Sequence, residues 1–176
     1  DATLISAQNL ERYDREKEFS KAQKFEDQYT MEGYYHIFGR PHLQTFLDFL
    51  FENFKVAVWT AASQLYALNI VEHFILTKAK PDRRLEFILF DYHNEHSMKH
   101  GKGTKDLSLF SSFYSMPKYD AMVILDDFDD VVKVNKRNAI KVPFFEYKDK
   151  KSYEDSFLMR LIPRLKKFKN KVKRSR

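Results

Sequence analysis

An α/β fold, with a central parallel sheet flanked by helices, is what this sequence predicts. Short apolar runs of strand type alternate with stripes at helical spacing. The runs are near-continuous rather than alternating, as strands covered on both faces must be. At 176 residues the chain is long enough to bury one real core.

The elements follow in order. Asp1, Ala2 and Thr3 precede the apolar pair Leu4–Ile5. Asn9–Gln28 is strongly polar and reads as a loop or an exposed helix. Tyr34–Phe38 is a short aromatic strand. Pro41 starts a helix, where its missing N–H is harmless, and Leu43, Phe46, Leu47, Leu50, Phe51 and Phe54 form its apolar stripe. Val56–Thr60 is a strand. Ser63 caps the next helix, with Ala67, Ile70, Val71 and Phe74 inward. Leu85–Phe90, Met122–Leu125 and Ala139–Val142 are further strands. Ser152 with Asp155 resembles a capping box for a last helix carrying Phe157, Leu161, Leu165 and Phe168.

In open parallel sheets ligands bind beyond the carboxyl ends of the strands. Thr60, Ala61, Ala62 and Ser63 follow one strand there, and Asp126 and Asp127 follow another. Adjacent carboxylates at a strand end repel unless a cation or a lysine neutralises them. Hydroxyls and the N–H groups of a helix start suit a phosphate. Magnesium takes oxygen ligands and keeps water and substrate phosphate in its shell. The pattern points to magnesium-dependent phosphoryl transfer. Bland readings stand beside it: Asp126–Asp127 as a turn, Thr60 as a helix cap, Lys105 as one lysine among many.

Four stretches make the reading specific. Asp1–Leu4 is DATL. Gly39–Ser63 is GRPHLQTFLDFLFENFKVAVWTAAS. Gly103–Phe110 is GTKDLSLF. Val123–Val142 is VILDDFDDVVKVNKRNAIKV. Together they resemble the FCP/SCP-type phosphatases, the RNA polymerase II C-terminal-domain phosphatase-like family of the haloacid dehalogenase superfamily. The resemblance implies a Rossmann-like haloacid dehalogenase fold with a small insert after the first strand. It implies a phosphatase domain over residues 1–168, truncated before its first catalytic Asp, and a basic tail over 169–176. Asp1 aligns with the second acid of the family's Asp-x-Asp-x-Thr-Leu motif, the general acid/base, so the nucleophile is expected two residues upstream. Thr60, with Ala61 and Thr3 nearby, is expected to bind the phosphoryl group, and Lys105 to neutralise it. Mg²⁺ is expected on Asp126, Asp127 and Asp1, the last through its carbonyl. Arg40 is expected to position the chain at a helix start, and Trp59 and Tyr66 to pack. The implied activity is hydrolysis of phosphoserine or phosphothreonine, through an aspartyl-phosphate, in a Ser-Pro-rich tail such as that of RNA polymerase II. The alternatives are an inactive interaction module on the same fold, or a phosphatase for nucleic-acid ends or small phosphomonoesters.

Charge and composition bound the rest. The net charge is +6, yet nine basic residues and no acid fall between Arg160 and Arg176, leaving a mildly acidic body. Such a tail suits nucleic acid, an acidic protein or a membrane surface; the expectation is a solvated helix end. Without cysteine there is no disulfide, thiol nucleophile or Cys-based metal site. No apolar run reaches the roughly 18 residues of a membrane span. An intracellular setting, nuclear or cytoplasmic, is expected. His93, His96 and His100 have a spacing zinc could use, but His93–His100 is expected to be a surface loop.

Overall fold

The computed structural model describes residues 1–113 and 121–174. Its first unit is an antiparallel sheet. Strand β1 (Ile5–Asn9) pairs with β3 (Tyr35–Gly39), and β3 with β2 (Gln28–Met31), in the order β1-β3-β2. Helix α1 (Arg15–Ala22) fills the polar stretch between β1 and β2, capped by Asp14, whose carboxylate accepts from Glu16 N and Lys17 N. This small sheet stands where the insert was expected.

The parallel strands come as two pairs. Strand β4 (Val56–Trp59) runs parallel to β5 (Leu85–Leu89), and β6 (Ile124–Asp126) parallel to β7 (Ala139–Lys141). Between and around them lie α2 (Leu43–Asn53), α3 (Gln64–Ile70), α4 (Asp91–His100), α5 (Leu109–Phe113), α6 (Asp129–Val134) and α7 (Phe157–Arg174). The α/β class with parallel strands flanked by helices is therefore as the sequence predicts. Ser63 caps α3 by accepting from Tyr66 N, and α3 passes into a π-helical turn, Val71–Ile75.

The main core joins these layers. Ile5 and Ile37 from the antiparallel sheet meet Phe46 and Leu47 of α2, Val71 and Phe74 of the π turn, and Leu158, Leu161 and Leu165 of α7. Burying one such side chain contributes about 1.5–3 kcal/mol. A second cluster, Phe25, Phe38, Phe145 and Tyr147, fastens the antiparallel sheet to the segment after β7. Phe38 and Tyr147 stack at 3.8 Å between ring centroids.

Several local expectations are corrected. Helix α2 begins at Leu43, not Pro41, because His42 takes a left-handed backbone (φ 68°) just before it. Ser152 does not cap α7: it lies in a 3₁₀ turn and its hydroxyl donates to Tyr147 O. Asp155 accepts from Phe157 N instead, beside the start of α7. His93–His100 is helical, the greater part of α4, rather than a loop. The basic run is helical to Arg174, with Lys171, Lys173 and Arg174 exposed as a solvated helix end would be, while Arg176 lies outside the described residues. Among the described residues no helix is long and apolar enough to cross a membrane.

Candidate active site

The carboxyl ends of the parallel strands carry the candidate residues. Asp126 is the last residue of β6. Its Oδ1 accepts from Phe128 N at 2.8 Å, so the turn expected of this acid pair does form. Its Oδ2 meets Lys105 Nζ at 2.7 Å, and both side chains are nearly buried, 7 % and 12 % exposed. Removing one partner of so buried a pair costs about 3–5 kcal/mol, because a desolvated charge remains.

Asp127 holds the opening segment. Thr3 Oγ1 donates to Asp127 Oδ1 at 2.5 Å, across 124 positions of sequence. The Asp1 backbone lies beside the same charges. Its nitrogen is buried and lies within reach of the charges of Asp127, Lys105 and Asp126. The Asp1 side chain faces solvent and accepts from Tyr66 Oη at 2.7 Å. Burial, with Tyr35 nearby, raises the Tyr66 phenol well above its ordinary pKa, so it remains a donor to Asp1.

Thr60 follows β4. Its N–H donates to Leu89 O at 2.9 Å, and its Oγ1 accepts from Ala62 N at 3.1 Å. The hydroxyl thus organises the turn before α3 and does not cap the helix, which Ser63 does. Asp91 N donates to Ala62 O, tying the ends of β4 and β5 together. Ala61 lies in that turn, fully exposed. Asp1, Thr3, Lys105, Asp126 and Asp127 therefore form one cluster. The turn holding Thr60 and Ala61 leads into α3, whose Tyr66 reaches Asp1.

Lys105 is aimed by its surroundings. Its backbone is left-handed (φ 49°), a conformation that costs a side-chain-bearing residue about 1–2 kcal/mol. Asn135 offsets that cost. It is fully buried, donates from Nδ2 to Lys105 O at 2.9 Å, and accepts Leu107 N at 3.0 Å. Asn94 Oδ1 accepts from Lys105 N and Thr104 Oγ1. Gly103 lets this loop approach α6: a Cβ there would stand 2.7 Å from Val134, and its φ is 149°. Asn135→Ala should destabilise the protein by about 1–3 kcal/mol, the cost of stranding buried polar groups; a chemical denaturation midpoint checks it.

Tyr66, Asn94 and Asn135 are the residues that sequence reasoning missed. Tyr66 was expected only to pack. No local pattern marks the asparagines, whose bonds to the Lys105 loop span 10 to 30 positions. Trp59 does pack, edge-on against Phe110 at 5.5 Å. Arg40 is wholly buried, beyond the positioning expected of it: it donates to Thr3 O and Pro143 O and pairs with both oxygens of Asp155.

The donor set suits a hard cation. Asp1, Asp126 and Asp127 supply carboxylate and carbonyl oxygens, the ligands magnesium takes. Each carboxylate meanwhile has a donor within the chain, and among the described residues no three acidic, histidine or cysteine side chains converge on one point. His96 and His100 lie ring beside ring along α4, 4.5 Å apart and tilted by 37°. A cleft of about 420 Å³ bordered by Thr77, Lys80, Arg83 and Phe87 shares no residue with the acidic cluster.

The sequence pattern of the NLI interacting factor-like phosphatases matches residues 1–176. The chain belongs to this family. Two relatives carry the name CTD phosphatase-like protein 355R. That of Invertebrate iridescent virus 3 is 40 % identical over 173 residues, covering 96 % of this chain and 93 % of the relative. That of Invertebrate iridescent virus 6 is 38 % identical over 166 residues, covering 92 % and 91 %. In this member of a phosphatase family, Asp1, Thr3, Lys105, Asp126 and Asp127 lie in the one cluster described above.

Proposed function

We propose that the protein is a magnesium-dependent phosphoserine/phosphothreonine phosphatase that works through an aspartyl-phosphate, with a Ser-Pro-rich tail like that of RNA polymerase II as its substrate class. The observation that carries this reading is the convergence of Asp1, Thr3, Lys105, Asp126 and Asp127 at the carboxyl ends of the strands, within a chain of a phosphatase family. A scaffold that only bound partners would have no use for so costly a charge cluster.

The chemistry follows from the parts. A carboxylate two positions before Asp1, where the family motif has its first acid, attacks phosphorus, and the bond from phosphorus to the ester oxygen breaks. Asp1 gives its proton to the departing alkoxide. It then takes a proton from the water that attacks the acyl phosphate, releasing phosphate and regenerating the nucleophile. Covalent catalysis of this kind replaces one hard step with two easier ones. Tyr66 keeps the Asp1 carboxyl oriented. Lys105 balances negative charge on the transferring group, the role such cations have in phosphoryl transfer. Thr60 and the amides of its turn grip a phosphoryl oxygen. Asp127, Asp126 and the Asp1 carbonyl would hold Mg²⁺, which supplies Lewis-acid stabilisation of the same charge.

The test compares full-length protein, with magnesium, on a phosphoserine peptide, a DNA end bearing a 3′-phosphate and an aryl phosphate. Preferential turnover of the peptide is expected. Equal turnover of all three would demote the protein-phosphatase reading, preference for the DNA end would replace it, and no turnover of any would favour the interaction module.

A further inference from the structure

Helix α7 presents two faces. Leu158, Leu161 and Leu165 are buried in the main core. Away from them, Arg160, Arg164, Lys167, Lys171 and Arg174 recur at intervals of four, three, four and three. That spacing aligns side chains in one row along a helix. All five are exposed, and α7 contains no acid. From first to last the row spans about 21 Å at 1.5 Å per residue. Lys166 and Lys173 stand exposed on the flank. Lys169 is turned away, donating to Asn53 Oδ1 at 2.9 Å.

Stability does not explain the row. Like charges three and four apart on a helix repel, by a few tenths of a kcal/mol per pair. The buried leucines hold the helix, while Arg160 also covers the Phe157 ring. What the row complements is a regular line of negative charge. Three observations choose among polyanions. The apolar face is already occupied by the core, so α7 cannot lay it into a bilayer as an interfacial helix does. No aromatic side chain stands in the row, so it lacks the stacking platforms of single-strand binders. A row of cations about 21 Å long on flexible arms spans several phosphates of a duplex backbone, spaced about 3.4 Å of axis on each strand, and phosphates are contacted by charge and not by base.

We propose that the outer face of α7 is a sequence-independent binding surface for duplex nucleic acid, distinct from the acidic cluster. The test is fluorescence anisotropy of full-length protein with a short random-sequence DNA duplex across a salt series. Affinity should fall with salt at a log–log slope of about −3.6 to −4.5, the range for four to five phosphates neutralised. The combined Arg164→Glu, Lys167→Glu, Lys171→Glu variant should weaken binding at least about tenfold, with circular dichroism and thermal midpoint unchanged. Should charge reversal disturb folding, the matching glutamine variant, which only neutralises, makes the same comparison. A flat salt dependence, binding unaltered by either variant, or tighter binding of a multiply phosphorylated peptide or an anionic vesicle than of the duplex would each overturn the assignment.

Discussion

Asp1→Asn should lower kcat by about 10²–10⁴-fold, the usual contribution of a general acid/base, while leaving the melting temperature almost unchanged. The side chain is exposed, and its Tyr66 contact is an exposed hydrogen bond, so folding has little stake in it. The measurement is steady-state turnover of an aryl phosphate by full-length protein, with a thermal melt alongside. The size of the effect should depend on the leaving group. An aryl oxygen departs without much protonation, whereas a serine alkoxide needs a proton, so the loss should be larger on phosphoserine peptide. A variant within a few-fold of wild type on both substrates removes Asp1 from the chemistry.

Arg40→Met should cost about 3–5 kcal/mol, the penalty for breaking a buried ion pair from one side. Four hydrogen bonds vanish together: two to Asp155, one to Thr3 O and one to Pro143 O. Arg40 also lies against the Phe145 and Phe157 rings, so the methionine retains part of the apolar packing and the charge is what is lost. The double variant Arg40→Met, Asp155→Leu should recover part of the loss, since no stranded carboxylate remains. Denaturant midpoints read both. The pair also sets an acid limit. Burial pulls the Asp155 carboxyl up, but Arg40 and the Phe157 N–H outweigh it and hold the pKa below the usual carboxylate value. A depressed carboxylate stabilises fully above its unfolded pKa, about 3.9, and the contribution disappears as pH falls through the lower folded value. Wild type should therefore lose stability below about pH 4 in a step that Asp155→Asn lacks. An identical acid profile in that variant would exclude Asp155 as the cause.

How much of this was written in the sequence depends on the range of the interaction. Strand-end hydroxyls and acids were legible because the sheet rule needs only neighbours in sequence: Thr60 after Val56–Trp59, Asp126 after Val123–Leu125. The leucine stripe of α7 was legible because helix periodicity is local. The roles of Asn94 and Asn135 were not, since each carboxamide finds its partners only after α4, α6 and the Lys105 loop have packed. Ser152 misled because its capping pattern was satisfied by Asp155 alone while its hydroxyl went to Tyr147 O. His93–His100 misled because flanking glycines suggest a loop, whereas Gly101 ends α4 rather than disrupting it.

One feature of the architecture bears on how the chain is made. Ser6 and Gln8 both bond Glu146, Phe145 N reaches back to Ala2 O, and Thr3 waits for Asp127. The first strand and the acidic cluster are thus completed by residues made more than a hundred positions later. Until then Phe25 and Phe38 have no Tyr147 to cover them, and the nascent polypeptide must emerge with an aromatic face open to water. Pairings this remote in sequence slow folding.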